Sequence, residues 1–210
     1  MFNHSHLPNV GLTEGKIPDQ IYQALNKEIV DIHTASETDS LDRNGIVQMN
    51  HFLAGQITKE YEITKSRQLL DPYLEEMGRA YQKEWNYYPK ENPNKNLKVE
   101  SVWVNMQQKL EINPLHNHDG TLSFVAWLYV PFKLEDERNM ENCKNSRTVE
   151  LASTFQFVYS QVLGNIVNFP LFVEQGWEGR IIMFPSKLLH MVYPFQTSDD
   201  YRISIAGNLH

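Results

Sequence analysis

The sequence predicts an α+β fold in which a helical first part supports an antiparallel sandwich or barrel of the jelly-roll type. Two stretches before residue 90 carry apolar residues at helical spacing. After residue 97 the chain becomes a series of short β-branched and aromatic runs separated by turn residues, a pattern typical of jelly rolls. With 210 residues the chain fits one domain, with helical support at 1–96 and a jelly-roll core at 97–210.

Two helices are predicted in the first part of the chain. The first begins at Pro18–Asp19, after a polar segment at 1–16 that we expect to form an extended arm. Its apolar stripe consists of Ile21, Leu25, Ile29 and Ile32. The second covers about 66–86, and Asp71-Pro72 is either its true start or a kink near it. Both helices are expected to support a sheet.

Six strands are predicted after the Pro- and Asn-rich connector at 87–98. They are Val99–Met106, Leu122–Val130, Phe155–Tyr159, Arg180–Phe184, Leu189–Tyr193 and Tyr201–Ala206. In the first of them, Val102 and Val104 alternate with Trp103 and Asn105, so its two faces differ in polarity. A charged insert at 133–147 interrupts the strands, and we expect either a surface loop or a lid over the site.

Composition excludes several classes of protein. A net charge of −7 argues against a general nucleic-acid binder, which needs clustered Lys and Arg. The single cysteine, Cys143, excludes a disulfide framework and a cysteine-based zinc cluster. We find no signal-peptide pattern at the N-terminus and no apolar run of the ~20 residues that a membrane span needs. These features predict a cytoplasmic protein without a membrane partner, and a homo-oligomer stays open.

A split set of histidines in the second half indicates a metal site. His116 and His118 stand two positions apart, so on an extended strand both imidazoles project to the same face and can reach one ion. The spacing alone is a weak signal, because His4 and His6 repeat it near the N-terminus. A third histidine, His190, lies on a later predicted strand and joins the set.

An arginine in the last predicted strand indicates an anion pocket beside this metal site. Arg202 stands in the alternating string Arg-Ile-Ser-Ile, where burial of its charge is unfavourable without a partner. A carboxylate is the natural partner, because its geometry matches the guanidinium fork. That carboxylate belongs either to an organic acid ligand or to one of the 26 acidic residues of the chain.

Together these strings resemble the Fe(II)/2-oxoglutarate-dependent oxygenases, especially the prolyl-hydroxylase-like group of marine bacteria and their phages. The resemblance covers about residues 97–209. Its strings are WVN at 103–105, HNHDG at 116–120, LSFV at 122–125 through Pro131, FPS at 184–186 through His190, and RISIAGN at 202–208. The resemblance implies a double-stranded β-helix, a cupin-like barrel, and a host-cytoplasm location if the chain is phage-encoded.

The resemblance also implies a role for individual residues. His116 and His190 would bind iron, and Arg202 would bind the distal carboxylate of 2-oxoglutarate. Ser204 and Tyr129 would assist Arg202 at that carboxylate. Three further residues would line the pocket, namely Trp103, Asn105 and Asn208.

The chain departs from the wider superfamily at the third metal ligand. The usual motif is His-x-Asp, but here the third position is His118 and the acid follows at Asp119. Strand parity favours a face of three histidines, which could also hold Zn, Ni or Cu, with Asp119 accepting a hydrogen bond from an imidazole. A local bulge would instead turn Asp119 inward and His118 away.

The leading hypothesis is a dioxygenase that uses Fe(II), 2-oxoglutarate and O₂ and releases succinate and CO₂. By analogy its substrate is a protein or peptide prolyl side chain, and a small molecule stays open. The alternative is a cupin-like three-histidine metal protein without 2-oxoglutarate, either a direct dioxygenase or a non-catalytic binding module. A direct dioxygenase has no need of Arg202, so this residue discriminates between them. A purely structural jelly roll is a third possibility, and the clustered histidines argue against it.

Overall fold

The structure of the protein is a computed structural model that describes residues 11–85, 87 and 96–210. Its helices are α1 (Asp19–Glu37), α2 (Arg67–Trp85) and α3 (Leu134–Arg138), with single 3₁₀ turns at Asp42–Asn44 and Val149–Leu151. No helix in the described ranges is long and apolar enough to cross a membrane. His4, His6, the first ten residues of the expected arm and most of the connector lie outside the described residues.

The strands of the protein form two antiparallel sheets. They are β1 (Thr13–Lys16), β2 (Glu60–Glu62), β3 (Val99–Gln107), β4 (Asn113–His116), β5 (Leu122–Tyr129), β6 (Phe155–Ser160), β7 (Ile166–Leu171), β8 (Arg180–Pro185), β9 (Leu189–Val192) and β10 (Arg202–Leu209). The larger sheet has the order β1-β8-β5-β10-β3-β2, and the smaller one has the order β4-β9-β6-β7. Two sheets of antiparallel strands with a few helices confirm the predicted α+β fold.

The two long helices confirm the predicted ones, and the start of α2 has a tertiary cause. The buried carboxylate of Glu28 in α1 accepts hydrogen bonds from the backbone N–H groups of Thr64, Lys65 and Ser66. These bonds hold the chain that enters α2, so the helix begins at Arg67. Pro72 therefore lies inside the helix and is not its start.

Four strands were not predicted, and all four lie at sheet edges. They are β1, β2, β4 and β7. An edge strand pairs on one side only, so it tolerates proline and polar residues, and β4 and β7 each contain a proline. The alternating pattern that identifies an inner strand is correspondingly weak in them. Because β1 and β2 join the larger sheet, the region 1–96 supplies strands as well as helices.

The larger sheet separates two apolar cores. On its outer face Val102 and Val104 pack in a cluster with Leu25 of α1 and Leu70 of α2. The second cluster includes Trp127 and lies between the sheets. Strand β3 thus has an apolar face toward the helices and a second face, with Trp103, Asn105 and Gln107, toward the space between the sheets.

The charged insert at 133–147 is anchored to the body of the protein at its first part. This part forms α3, where Glu137 is fully buried. The Glu137 carboxylate accepts hydrogen bonds from Ser153 Oγ and from the backbone N–H groups of Gln196 and Thr197. The insert is described throughout, and none of its residues lines the cavity between the sheets.

Candidate metal centre

Three imidazoles converge between the two sheets. His116 at the end of β4 is the direct register partner of His190 in β9. His118 follows two residues later, in a turn that is held by a hydrogen bond from its backbone N–H to Ser186 O (2.9 Å). Each of the three side chains offers a nitrogen, and these nitrogens all lie within 4.8 Å of one another. Antiparallel pairing therefore brings together the histidines that the sequence separates by more than 70 positions.

Backbone carbonyls orient two of the three rings. His116 Nδ1 lies 2.6 Å from Pro114 O, and His190 Nδ1 lies 2.9 Å from Leu188 O. A carbonyl oxygen only accepts, so each Nδ1 carries the proton. Nε2 of both rings is then unprotonated and free to bind a metal ion, the usual state of a histidine ligand.

Burial keeps the three imidazoles neutral. Burial, together with the neighbouring His116, lowers the pKa of His190 to about 3 and that of His118 to about 4. Burial also lowers the pKa of His116 itself. Phe155 stacks on the His190 ring at 5.6 Å, and Phe184 meets it edge-on at 5.0 Å. The set is therefore deprotonated at neutral pH, as coordination requires.

The carboxylate of Asp119 lies away from this cluster. Its side chain is 95% exposed and accepts a hydrogen bond from Lys187 Nζ (2.7 Å), an interaction that lowers its pKa. Of the two arrangements that the sequence left open, the structure has the His118 imidazole inside and the Asp119 carboxylate in solvent. The expected hydrogen bond from an imidazole to Asp119 is also not found, because the carbonyls of Pro114 and Leu188 accept those protons.

Arg202 is a buried cation without an acidic partner at ion-pair distance in the described part of the chain. Its guanidinium donates to Gln107 Oε1 (3.0 Å from Nε) and to the carbonyls of Ser153 (3.2 Å) and Tyr193 (3.1 Å). Burial lowers its pKa to about 9, so it stays charged at neutral pH. No salt bridge to this residue is found in the described part of the chain, but the buried Glu137 acts on its charge and raises its pKa, which partly offsets burial.

One cavity connects the imidazoles and the arginine. It lies between the two sheets and is lined by residues from both of them. Among the predicted residues, its wall contains His116, His118, His190, Arg202, Ser204, Trp103 and Asn105. The wall also contains three polar residues that we did not predict, Glu60, Gln107 and Asn113. Gln107 lies on the inner face of β3 with Asn105, so the alternation along this strand could have identified it as a cavity residue. Glu60 and Asn113 lie on edge strands that the sequence did not predict.

Two predicted pocket residues lie outside this cavity. Tyr129 is the last residue of β5, where it is 43% exposed and its hydroxyl faces Asp200 at 3.4 Å. Asn208 lies near the end of β10, where its Oδ1 accepts a hydrogen bond from Ser123 Oγ (2.7 Å). Both have the parity of inward-facing residues, but they stand near strand ends and miss the cavity.

Sequence comparison identifies the family. The model of a family described as "Putative 2OG-Fe(II) oxygenase" matches residues 101–208. This segment is about half of the chain and contains all three clustered histidines and Arg202. The chain belongs to this 2OG-Fe(II) oxygenase family. It is therefore an oxidoreductase whose cofactors are Fe(II), 2-oxoglutarate and O₂.

Solved structures with similar folds include other 2OG-Fe(II) oxygenases. A Pseudomonas putida prolyl-4-hydroxylase is 10% identical with a TM-score of 0.53, and the match covers 96% of this chain and 92% of that one. The α-ketoglutarate-dependent carbocyclase SnoK from nogalamycin biosynthesis is 12% identical with a TM-score of 0.53, covering 94% and 78%. At these identities the likeness shows the jelly-roll fold alone. A search of the curated proteins returns no match.

Proposed function

We propose that this protein is an Fe(II)- and 2-oxoglutarate-dependent hydroxylase in which His116, His118 and His190 bind the iron. In this proposal Arg202 binds the distal carboxylate of 2-oxoglutarate. One observation supports it above all: three neutral imidazoles and a buried cation with no salt bridge among the described residues share one cavity. Together they form a site for a metal ion and an organic dianion.

The residues fit an iron ion through their donor chemistry. Imidazole nitrogens are good ligands of Fe(II), and a face of three leaves coordination positions for a cosubstrate. When bound, iron with 2-oxoglutarate and O₂ supplies the oxidative decarboxylation to succinate and CO₂ and the oxidising power for hydroxylation. Because the three ligands are neutral, they leave the full charge of the ion to be balanced by the 2-oxoglutarate dianion.

Arg202 would orient the bound 2-oxoglutarate as well as attract its charge. Its guanidinium has five N–H groups and makes four hydrogen bonds, to Gln107, Ser153 and Tyr193, so its orientation is set before any ligand binds. At least one N–H remains for a carboxylate oxygen. Ser204 lies two residues along β10 on the same face and adds a hydroxyl donor.

Aromatic side chains would exclude water from the reaction. Trp127, Phe155 and Phe184 line the cavity, and their burial leaves few polar groups near the imidazoles. A dry site strengthens the attraction between Arg202 and a carboxylate and limits side reactions.

The substrate class is proposed by analogy with the prolyl hydroxylases that the sequence resembles. The resemblance to prolyl hydroxylases makes a protein or peptide prolyl side chain the first candidate, with a small molecule as the alternative. The cytoplasm remains our expected compartment, because one cysteine offers no disulfide framework.

The proposal is tested by mixing the iron-loaded protein with 2-oxoglutarate without oxygen. We expect the weak visible charge-transfer band of the chelate, followed by succinate when oxygen is admitted. A His190→Ala variant is the control and should give neither signal. Absence of both signals from the wild-type protein with verified iron content would contradict the proposal. Such a result would favour the alternative function, a three-histidine metal protein that does not use 2-oxoglutarate. In that protein Arg202 would have a structural role only, through its hydrogen bonds to Gln107 and to two backbone carbonyls.

A further inference from the structure

Glu60 is a buried acid in the cavity wall that the proposed chemistry does not use. The residue is only 1% exposed and lines the same cavity as the imidazoles. Both of its carboxyl oxygens are buried and have no hydrogen-bond partner among the described residues. Buried polar groups in native proteins nearly always have partners, so these oxygens need a donor that the described residues do not supply.

Strand register places Glu60 beside the proposed cosubstrate site. Glu60 in β2 is opposite Asn105 in β3, and Asn105 is opposite Ser204 in β10. Two strand spacings separate Glu60 from Ser204, roughly 10 Å between their backbones. Glu60 is therefore close enough to contact a substrate that lies beside 2-oxoglutarate, and too far along the sheet to share its carboxylate site.

Two amide oxygens in the same cavity wall lack partners as well. Asn105 is 7% exposed, and its Oδ1 is buried without a hydrogen bond in the described structure. Asn113 Oδ1, in β4 of the opposite sheet, is also buried without a hydrogen-bond partner. The Glu60 carboxylate and the two amide oxygens accept hydrogen bonds, and none of the three side chains carries a positive charge. A cation with N–H donors therefore fits them.

No nearby positive charge among the described residues neutralises the Glu60 carboxylate. Burial and the nearby Glu111 both disfavour its charged form and raise its pKa to about 7. The adjacent Lys59 pairs instead with Glu37. A cation from the substrate would supply the missing charge, and the buried setting would strengthen that attraction.

The chain packs closely over the Glu60 carboxylate. Leu53, Ala54 and Ile57 line the cavity, and Gly55 stands between them. A Cβ atom at Gly55 would lie 2.9 Å from Glu60 Oε1, so glycine permits this close approach. The carboxylate is thereby enclosed between the segment 53–57 and the cavity.

We propose that Glu60, assisted by Asn105 and Asn113, binds a protonated amine of the substrate, so that the hydroxylated compounds are amines. An ammonium group has several N–H donors and a positive charge, which match the unpartnered acceptors. The nitrogen of an internal prolyl residue has neither a proton nor a charge and does not match them. This inference rests on the proposed hydroxylase function and narrows its substrate from internal prolyl residues to free or N-terminal amines.

The test compares the wild-type protein with Glu60→Gln and with Glu62→Gln. Glu62 lies two residues along β2 and outside the cavity wall, so it is the matched control. Each protein is first examined for the iron–2-oxoglutarate band, which depends on the proposed function and needs no substrate. Succinate formation is then measured with L-prolinamide, L-leucinamide and 1,5-diaminopentane, each against its fully N-acetylated counterpart.

We expect at least one amine, and none of the acetylated compounds, to stimulate succinate formation by the wild type and by Glu62→Gln. Glu60→Gln should keep the band and raise the KM for that amine by about 10-fold or more, because a charged hydrogen bond is lost. Glu60→Asp keeps the charge and should retain the preference for amines, which guards against a folding defect in Glu60→Gln.

Three results would overturn the inference while the hydroxylase function stands. With the band present, these are no stimulation by any amine, equal stimulation by acetylated compounds, or an unchanged KM in Glu60→Gln. A wild-type protein without the band overturns the hydroxylase function itself, and the inference with it.

Discussion

At the scale of single residues, the site is defined by charges and rings that have been taken out of water. Arg202 is 3% exposed, lies 5.6 Å from the centres of the stacked Phe132 and Phe195 rings, and donates only to neutral oxygens in the described part of the protein. The buried Glu137 stabilises this charge without forming a salt bridge to it, and a bound anion would stabilise it further. The three histidines show the complementary case, because burial keeps them neutral and available to a cation.

The first prediction concerns Arg202→Ala. We expect the Kd for 2-oxoglutarate to rise about 100-fold, because the charge-assisted hydrogen bonds to its carboxylate are lost. Iron content should be unchanged, since the guanidinium does not contact the imidazole nitrogens. Anaerobic titration of the visible band measures the Kd, and Arg180→Ala, at an exposed arginine over Trp177, is the control. Loss of iron from Arg202→Ala would indicate a structural role instead.

The second prediction separates the two candidates for the third ligand. His118→Ala should weaken Fe(II) binding by about 10-fold or more, because one of three imidazoles is removed. Asp119→Ala should bind iron as the wild type does, because its carboxylate points into solvent toward Lys187. Equilibrium dialysis against Fe(II) under anaerobic conditions measures both affinities. The opposite order would mean that the turn after β4 rearranges to bring Asp119 inward.

At the scale of elements, β10 organises the larger sheet, because it pairs with β3 on one side and β5 on the other. It carries Arg202 and Ser204 on the cavity face, and close contact with its neighbours sets their position. This contact is tightest at Gly207, where an added Cβ would lie 2.2 Å from Ser101 O in β3.

The third prediction is that Gly207→Ala destabilises the protein by about 3 kcal/mol, because the strands must move apart to admit a methyl group. Urea unfolding of the metal-free protein measures the change. Gly45→Ala is the comparison, since Gly45 has a left-handed φ of 63° but nothing within 4 Å of an added Cβ. Gly45→Ala should lower the free energy of unfolding by only about 1 kcal/mol, because backbone strain is its sole effect. Equal losses in the two variants would contradict the crowding at Gly207.

The elements also show how far the sequence could predict the fold. All six predicted strands are present with ends within a few residues, because inner strands bury apolar side chains and show it in their composition. The four edge strands escaped prediction because half of their hydrogen-bonding groups face no neighbour and their side chains are partly exposed. Two of them, β2 and β4, carry Glu60 and His116, so the candidate site depends on elements that sequence patterns identify poorly.

At the scale of the whole molecule, the site joins two sheets. His116 and His190 come from the smaller sheet, whereas Arg202, Ser204 and Glu60 come from the larger one. The two long helices, α1 and α2, pack on the outer face of the larger sheet and leave its inner face to the cavity. A metal ion, an anion and a substrate between the sheets would therefore contact both layers of the fold.

The fourth prediction concerns the stability of the metal-free protein between pH 6.5 and pH 4. His118 and His190 have pKa values of about 4 and about 3 in the folded state, below the ordinary 6.5. At these two histidines the unfolded chain binds more protons than the folded one, so their contribution to stability falls as the pH falls, whereas Glu60, with a raised pKa of about 7, acts in the opposite direction. Urea unfolding at several pH values, with a chelator present, measures the slope. His118→Gln should show a shallower loss, and equal slopes would mean that His118 is not buried in the neutral form.

The sequence by itself determined the apolar stripes of the helices, the inner strands and the candidate chemistry of the three histidines and Arg202. These features are local, because period and residue type can be read from neighbouring positions. Only the tertiary structure decided that His118 rather than Asp119 faces the cluster, that Tyr129 and Asn208 lie outside the cavity, and that Glu60 lines it. Those outcomes depend on where the strands end and on which strands pair. Contacts between residues far apart in the chain determine both, so patterns among neighbouring residues do not reveal them.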